Sequence, residues 1–295
     1  CDMNIAIFND FLFPFVQMLL LIALAPLVSG IIKKTKALLQ NRRGADLLQD
    51  YYDLRKWWKK KTIITPYTGF VFMLAPFMYL LSTMLAAFLL PNMMSNMNFG
   101  DIFVFVGLLA IGRFFMALSS FDAASAFGGM GGSREVYVAT CVEPVMLLAV
   151  LTAILKSGST SIYTMALNNG TQINVAVLLA CIAFFILLLA ENGRIPVDNP
   201  DTHLELTMIH ECMLLEYSGR LLAVIHLASM IKNMLFIVLF SLIFLPMAIP
   251  LAIKVIITAM GIAVMESLNN KMRLFKVRAY LLATGGLLLL AIVAQ

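Results

Sequence analysis

The sequence predicts an all-α polytopic membrane protein, and three observations lead to this prediction. Hydrophobic residues make up 61% of the 295 and charged residues 13%, with a mean hydropathy of +0.93. Soluble domains contain about 25% charged residues. Apolar runs long enough to cross a bilayer recur along the chain, and the cations cluster between them. The formal charge of +5 therefore indicates membrane topology rather than nucleic-acid binding.

About eight membrane-spanning helices are predicted, because each apolar run approaches the roughly 20 residues that cross a bilayer. In order, they cover residues 11–32, 69–90, 102–120, 136–155, 175–190, 221–244, 248–266 and 279–294. No soluble domain is evident, so residues 1–295 are predicted to form a single integral membrane domain. An even number of spans puts both termini on the same side.

Loop charge predicts the orientation. The first connection, 33–68, carries ten of the 21 cations, and the seventh, 267–278, carries four. The third and fifth connections add Arg134 and Arg194, whereas the even-numbered ones offer little beyond Lys156. The excess of positive charge on cytoplasmic loops predicts that the odd-numbered connections are cytoplasmic in the cytoplasmic (inner) membrane, with both termini on the outer side.

The basic first connection contains an amphipathic segment at 51–61, YYDLRKWWKKK. Its aromatic side chains suit the membrane interface, and its lysines suit anionic lipid headgroups. Lipid anchoring is one interpretation. The other is a docking edge for a peripheral cytoplasmic subunit.

The fifth connection, 191–220, is acidic. It holds six of the 16 acidic residues, namely Glu191, Asp198, Asp201, Glu205, Glu211 and Glu216. Asn199-Pro200-Asp201 predicts a helix start, and a continuous helix from there would align Asp201, Glu205 and Glu216 with Cys212 on one face. Buried together, such carboxylates would share protons, which suits a proton relay. A solvated helix with an acidic outer face is the alternative.

Ionisable residues inside the spans are a second group of candidates, since charge is costly in a bilayer. Arg113 and Glu143 lie in the third and fourth spans, and Glu143 is predicted to be either a functional acid, whose role the resemblance given below implies, or the static partner of Arg113. Lys232 is favoured as a titrating lysine over Lys254, which lies near a helix end and can extend outward. Glu266 ends the seventh span.

The remaining candidates are Arg194, as a partner in an ion pair, and the cysteines and histidines, as metal ligands. Arg194 is predicted to pair with Glu191 or with Asp198. The four cysteines include no C-x-x-C pair, and His203 and His210 are two helical turns apart. We therefore expect no metal, iron–sulfur cluster or other cofactor in this chain.

Five motifs carry a resemblance to a known family. They are Glu191-x-x-Arg194-x-Pro196-x-Asp198, Glu216-Tyr217-Ser218-Gly219, Asn41-Arg42-Arg43-Gly44, Gly132-Ser133-Arg134-Glu135 and Glu143-Pro144. In this order they resemble subunit 1 of the proton-pumping NADH:quinone oxidoreductase. The sequence is more similar still to the membrane subunit of group 4, energy-converting NiFe hydrogenases, the type found in formate hydrogenlyase.

The resemblance implies a membrane anchor and proton- or charge-coupling subunit with no catalytic residue of its own. The implied relay consists of Glu143, Glu191, Asp198, Asp201, Glu205, Glu211, Glu216 and Lys232. The implied cytoplasmic cavity or partner interface consists of Arg42, Arg43, Arg134, Glu135, Arg194 and Arg220. The expected partners are NiFe-hydrogenase-like large and small subunits, a ferredoxin-type iron–sulfur subunit and antiporter-like membrane subunits. The iron–sulfur clusters and the NiFe site would lie in those partners.

Two alternatives remain open. One is the quinone-binding subunit of a complex I-type NADH or ferredoxin:quinone oxidoreductase. The sequence after Pro196, Val-Asp-Asn-Pro-Asp-Thr-His, differs from that of the quinone-reducing relatives, and this difference argues against quinone binding. The other is a stand-alone ion-coupled transporter, which the lack of an evident inverted repeat argues against.

Overall fold

A computed structural model describes residues 2–65, 67–91, 100–168, 174–199 and 208–294, with side chains from residue 12 onward. Eleven helices lie in these ranges. They are α1 (Asp2–Leu39), α2 (Gln49–Lys59), α3 (Phe70–Phe88), α4 (Ile102–Asp122), α5 (Ala126–Ser157), α6 (Ile162–Leu167), α7 (Val175–Glu191), α8 (His210–Leu214), α9 (Gly219–Phe244), α10 (Leu251–Leu268) and α11 (Leu274–Val293).

The predicted all-α membrane fold is confirmed. Seven helices in the described ranges are long and apolar enough to cross a membrane, namely α3, α4, α5, α9, α10, α11 and the Leu12–Leu39 part of α1. The remaining predicted span, the fifth at 175–190, corresponds to α7, an apolar helix of 17 residues. At 1.5 Å per residue α7 is about 25 Å long, shorter than the bilayer core of about 30 Å.

Most predicted boundaries lie close to the observed ones, but the start of the fourth span was wrong. Helix α5 begins at Ala126, ten residues before the predicted start at 136. The Ser125 side chain caps it by accepting a 3.0 Å hydrogen bond from the Gly128 amide. The glycine-rich segment 128–132 lies outside the apolar run from which the fourth span was predicted, and glycine has a low helix propensity. Close packing of its glycines against α4 and α8 outweighs that propensity.

The connections alternate between two faces of the molecule. On one, the acidic-loop face, the Ile63 amide donates to Ser218 Oγ at 2.8 Å, so the first and fifth connections meet. On the opposite face, the Ile102 amide donates to the Thr160 carbonyl at 3.0 Å and the Ile162 amide to the Gly100 carbonyl at 2.8 Å. The second and fourth connections are therefore joined there.

Helix α9 lies at the centre of the molecule. Its apolar window is 72% buried, compared with 33–44% for the windows of the other candidate spans. It contacts α1, α2, α3, α6, α7 and α10. A helix that is apolar all round is expected to be enclosed by its neighbours. Any charged residue in the middle of α9 is therefore a core residue.

The amphipathic segment forms α2, which packs against α1 and α9. The Trp57 ring stacks on the His226 ring of α9 with centroids 4.4 Å apart. Lys33 of α1 pairs with the buried Asp50 at 2.5 Å. The opposite side of α2 exposes Tyr52 and Trp58. This arrangement is compatible with both predicted roles of the segment.

Tyr217 fixes the start of α9 against α3. Its ring stacks on the Phe72 ring at 4.0 Å, and its hydroxyl donates to the Phe72 carbonyl at 2.9 Å. Burial raises the pKa of the Tyr217 phenol to about 12. Tyr217 therefore stays neutral and keeps its hydrogen-bond donor at physiological pH.

Candidate functional site

Four ionisable side chains from four helices meet inside the helical bundle. We call Arg113, Glu143, Glu191 and Lys232 the charged centre. Arg113 donates from one terminal nitrogen to Glu191 at 2.8 Å and from the other to Glu143 at 2.9 Å. Lys232 Nζ contacts both the Glu191 carboxylate and the Glu191 backbone carbonyl at 2.9 Å. With two cations and two carboxylates, the centre is formally neutral when all four groups are ionised.

The length of α7 explains why Glu191 reaches this depth. Arg113, Glu143 and Lys232 lie near the midpoints of α4, α5 and α9, whereas Glu191 is the last residue of α7. The chain continues as a non-helical segment, residues 192–199, and its residues 195–198 are buried. Irregular backbone at membrane depth requires such enclosure by protein. A short span followed by a buried irregular segment therefore brings an acid from the loop to the core.

The two carboxylates of the centre differ in exposure. The Glu191 side chain is 3% exposed, whereas that of Glu143 is 56% exposed on the outer surface of the bundle. Sequence analysis predicted either a relay role for Glu143 or a static pair with Arg113. The pair is present, but Arg113 also binds Glu191 and thus links a buried acid to an exposed one. A guanidinium fork suits this geometry because it can hold two carboxylates at once.

Within the described part of the chain, three cavities adjoin the charged centre, and Arg113 lines each of them. The loop-side cavity, about 30 Å³, reaches Glu191 and Lys232 from Asp198 and His210. The inner cavity, about 180 Å³, lies between Glu143, Glu191 and apolar side chains such as Leu109 and Phe236. The third, the α4–α5 groove of about 190 Å³, opens on the outer surface. Cavities with space for water therefore adjoin the charged centre both toward the acidic loop and toward the outer surface of the bundle.

Asp198 joins the acidic connection to the seventh connection and to the start of α8. Its carboxylate binds Lys271 at 2.6 Å and accepts hydrogen bonds from the amides of Ile209 at 3.2 Å and His210 at 3.1 Å. It therefore supplies an anion to the N-terminus of α8 from 12 residues upstream.

This contact accounts for a wrong prediction. The helix predicted to run from residue 199 through Glu216 is not continuous, because Met208 and Ile209 are non-helical and α8 ends at Leu214. Cys212 lies in α8 and Glu216 in the turn after it, so the described part of the predicted stripe is not formed. Residues 200–207, which include Asp201, His203 and Glu205, lie outside the described residues.

The predicted pairing of Arg194 was also wrong. The Arg194 guanidinium pairs with neither the Glu191 nor the Asp198 carboxylate but with that of Glu266, at 3.1 Å. Helix α7 ends at Glu191 and the backbone turns at Gly193, whose φ is +58°, so helical spacing no longer applies. Glu266, with a side chain 1% exposed, also binds Lys36 at 3.3 Å. This second buried cluster joins α1 and α10 to the acidic connection.

The other predicted site residues are placed in different surroundings. Arg134 donates to the Met208 carbonyl at 2.8 Å, and Glu135 lines both the loop-side cavity and the α4–α5 groove. Glu211 and Glu216 are half-buried and line none of the three cavities. The remaining predicted residues, Arg42, Arg43 and Arg220, are exposed. The roles assigned to all of these residues stay predictions.

Sequence reasoning left several residues out of the site. Arg113 was recognised as a charge inside a span but was given no place in the predicted relay, and its contact with Glu191 was not predicted. No sequence signal links Lys271 to Asp198 or Lys36 to Glu266, because these pairs are separated by 73 and 230 residues of chain. In the part of the chain that the structure describes, no three His, Cys, Asp or Glu side chains are arranged to hold a metal ion.

The fold and the charged centre define a class of protein, namely multi-pass helical membrane proteins with a buried network of paired ionisable groups beneath an acidic loop. The chain belongs to the NADH dehydrogenase subunit 1 family, since the family model described as NADH dehydrogenase matches residues 13–294. The resemblance inferred from the five motifs is thus confirmed.

Curated relatives refine this assignment. The chain is 37% identical to Hydrogenase-4 component C of Escherichia coli (strain K12), covering 72% of this chain and 68% of that protein. It is 35% identical to Formate hydrogenlyase subunit 4 of the same organism, covering 70% and 69%. Identity to a subunit of the NADH-quinone oxidoreductase of Salinibacter ruber is 26%, covering 68% of this chain and 61% of that subunit.

A solved structure supports the fold. A chain of the membrane-bound sulfane sulfur reductase, an archaeal respiratory membrane complex, superposes with a TM-score of 0.81 over 96% of this chain and 99% of that chain. Identity is 20%, so this likeness concerns the fold alone. These relatives are subunits of multi-subunit hydrogenase and respiratory complexes in membranes.

Proposed function

We propose that the chain is the membrane anchor and proton- or charge-coupling subunit of a hydrogenase-like, redox-driven ion pump. It would link peripheral iron–sulfur and NiFe subunits to antiporter-like membrane subunits. The observation that carries the proposal is the charged centre, in which Arg113 joins the buried Glu191 to the exposed Glu143. A charge change on the acidic-loop face could thus be transmitted to the outer surface of the bundle.

Electrostatic coupling is the proposed mechanism. Redox chemistry in a partner would alter the charge near Asp198 and His210, which line the same small cavity as Glu191. Arg113 pairs with both Glu191 and Glu143. When its ion pair with Glu191 weakens, its ion pair with Glu143 becomes stronger, and when the pair with Glu191 strengthens, the pair with Glu143 becomes weaker. Coulomb interactions over about 4 Å amount to about 4 kcal/mol at the effective dielectric constant near a protein surface. This is large enough to change which carboxylate binds a proton.

The exposure of Glu143 supports a membrane partner on the same side. A carboxylate near the midpoint of a span costs about 2.5 to 3.5 kcal/mol or more when it faces lipid. Glu143 is 56% exposed on the surface formed by α4 and α5. An antiporter-like subunit covering this surface would shield Glu143 from lipid and receive the proton or charge.

The cofactors and the orientation belong to the same proposal. Iron–sulfur clusters and a NiFe site would lie in a ferredoxin-type subunit and in hydrogenase-like large and small subunits. These would dock on the acidic-loop face, which we assign to the cytoplasm, with Arg42, Arg43 and Arg220 exposed toward them. The greater similarity to the hydrogenase-type relatives favours this proposal over a quinone-binding subunit.

The test is the Glu143→Gln variant in vesicles that contain the assembled complex. Glutamine keeps the size of the side chain but cannot carry a proton. We expect proton translocation per hydrogen evolved to fall to background, while Asp46→Asn, an exposed carboxylate of the first connection, has no effect. The proposal is wrong if Glu143→Gln evolves hydrogen and pumps at wild-type rates.

A further inference from the structure

The α4–α5 groove runs along the outer surface of the bundle and ends at two acids. Helix α5 contributes Glu135, Val136, Ala139, Thr140 and Glu143 to its lining, and α4 contributes Ala110, Arg113, Phe114 and Ala117. Glu135 and Glu143 are eight residues apart on α5, which is about 12 Å along the axis. The groove, about 190 Å³, has room for several water molecules between the two carboxyl groups.

Glu135 occupies a junction in the network of cavities. It lines both the loop-side cavity and the α4–α5 groove. Glu191 instead lines the loop-side cavity and the inner cavity. Two acids therefore lie between the acidic-loop face and Glu143. Glu191 lies in the core of the bundle, and Glu135 lies on the surface of α5.

The surroundings of Glu135 differ from those of the other acids. Among the described residues, no hydrogen bond or ion pair holds its carboxylate, although it is close enough to Arg113 and Tyr79 for electrostatic interaction. Glu191 and Glu143 are held directly by Arg113. A half-buried carboxylate without a fixed partner can take up and release a proton without first breaking an ion pair.

We propose that Glu135 is a proton carrier of the relay and that the α4–α5 groove holds a file of water joining it to Glu143. This inference rests on the proposed function and adds to it the path of the proton: the core transmits the change of charge through Arg113, and the groove carries the proton to Glu143. A proton on Glu135 passes to an adjacent water, the file shifts one proton along, and the last water protonates Glu143. Glu135 is left as a carboxylate and takes its next proton from the loop-side cavity.

Two side chains between Glu135 and Glu143 are compatible with a file of water molecules in the groove. Ala139 is small, so its side chain leaves space in the groove. The Thr140 hydroxyl donates to the Val136 carbonyl at 2.8 Å, which leaves its oxygen free to accept from water. The covering membrane subunit of the proposed function would close the groove from lipid.

The experiment uses vesicles containing the assembled complex and measures protons translocated per hydrogen evolved. Glu135→Gln removes the titratable group, and Glu135→Asp keeps it. Ala139→Leu fills the groove without altering any acid. As a control for added bulk, Gly286→Leu enlarges α11, where a Cβ would meet no atom within 4 Å.

We expect Glu135→Gln and Ala139→Leu to lower the ratio about tenfold or more, as for loss of a proton-transfer group. Glu135→Asp should restore most of it, which a purely structural contact of the full-length side chain would not allow, and Gly286→Leu should match the wild type. If Glu135→Gln fails to assemble, a wild-type ratio in Ala139→Leu overturns the inference.

The outcome can be separated from that of the proposed function. A wild-type ratio in Glu135→Gln together with loss of pumping in Glu143→Gln would refute the groove route and leave the coupling role of Glu143 intact. Wild-type ratios in both variants would refute both proposals.

Discussion

At the residue scale, the charged centre depends on Glu191 being held by two cations. Arg113 and Lys232 both contact its carboxylate, and Lys232 also satisfies the carbonyl at the end of α7. Buried ions require this mutual compensation, because removing one partner leaves an uncompensated charge. Lys254, the other buried lysine of the spans, donates to the Leu245 carbonyl at 3.1 Å and has no carboxylate partner among the described residues. The two lysines should therefore respond differently to the same substitution.

We predict that Lys232→Met lowers the free energy of unfolding by about 3 to 5 kcal/mol, because it breaks a buried ion pair. Lys254→Met should cost about 0.5 to 1.5 kcal/mol, since it removes one hydrogen bond. The midpoint of heat-induced unfolding in detergent measures both effects. Equal midpoints for the two variants would mean that the pairing of Lys232 with Glu191 stabilises the protein no more than the single hydrogen bond of Lys254, which would contradict the prediction.

At the element scale, the glycine-rich start of α5 permits close packing against α8. A Cβ on Gly131 would lie 2.9 Å from the Met213 amide nitrogen and 3.0 Å from Cys212 Cβ. A Cβ on Gly129, which precedes Gly131 on the same helix, would meet no atom within 4 Å. Packing at Gly131 therefore sets how near α8, and with it His210, approaches the loop-side cavity.

Alanine substitutions distinguish packing from propensity at these two glycines. We predict that Gly131→Ala destabilises the protein by about 1 to 3 kcal/mol through overpacking. Gly129→Ala should stabilise it by up to about 1 kcal/mol, because alanine is the better helix former. Thermal unfolding of both variants in detergent provides the comparison. A stabilising Gly131→Ala would show that α8 does not need this close approach.

The same element shows what sequence can and cannot predict. Apolar length is a local property, so α3, α4 and α9 were predicted to within a few residues. The start of α5 was missed because the prediction followed the apolar run, whereas the packing of the preceding glycines against α4 and α8 is not visible in a sequence. Glu143 and Lys232 were recognised because charge inside a span is conspicuous. The partners of Asp198 and Arg194 were not, because tertiary packing selects them across 73 and 72 residues of chain.

At the scale of the whole molecule, buried ion pairs tie the odd-numbered connections together. Asp198 binds Lys271 across the fifth and seventh connections, and Glu266 joins Arg194 of the fifth connection to Lys36 at the end of α1. The positively charged connections thus lie on the acidic-loop face as one assembly. Reversing one of these connections in the membrane would separate the pairs, so the first, fifth and seventh connections must lie on the same side.

The side on which that assembly lies can be measured with two positions that flank α10. Ala248 lies exposed before the helix and Asn270 lies exposed after it. Each is replaced by cysteine in a background without the native cysteines, and intact cells are treated with a membrane-impermeant maleimide. Because ten cations of the first connection favour the cytoplasm, we expect Ala248→Cys to be labelled and Asn270→Cys to be labelled only after cell lysis. The reverse pattern would place the acidic-loop face outside, where cytoplasmic redox partners could not dock, and would refute the proposed orientation and the coupling function together.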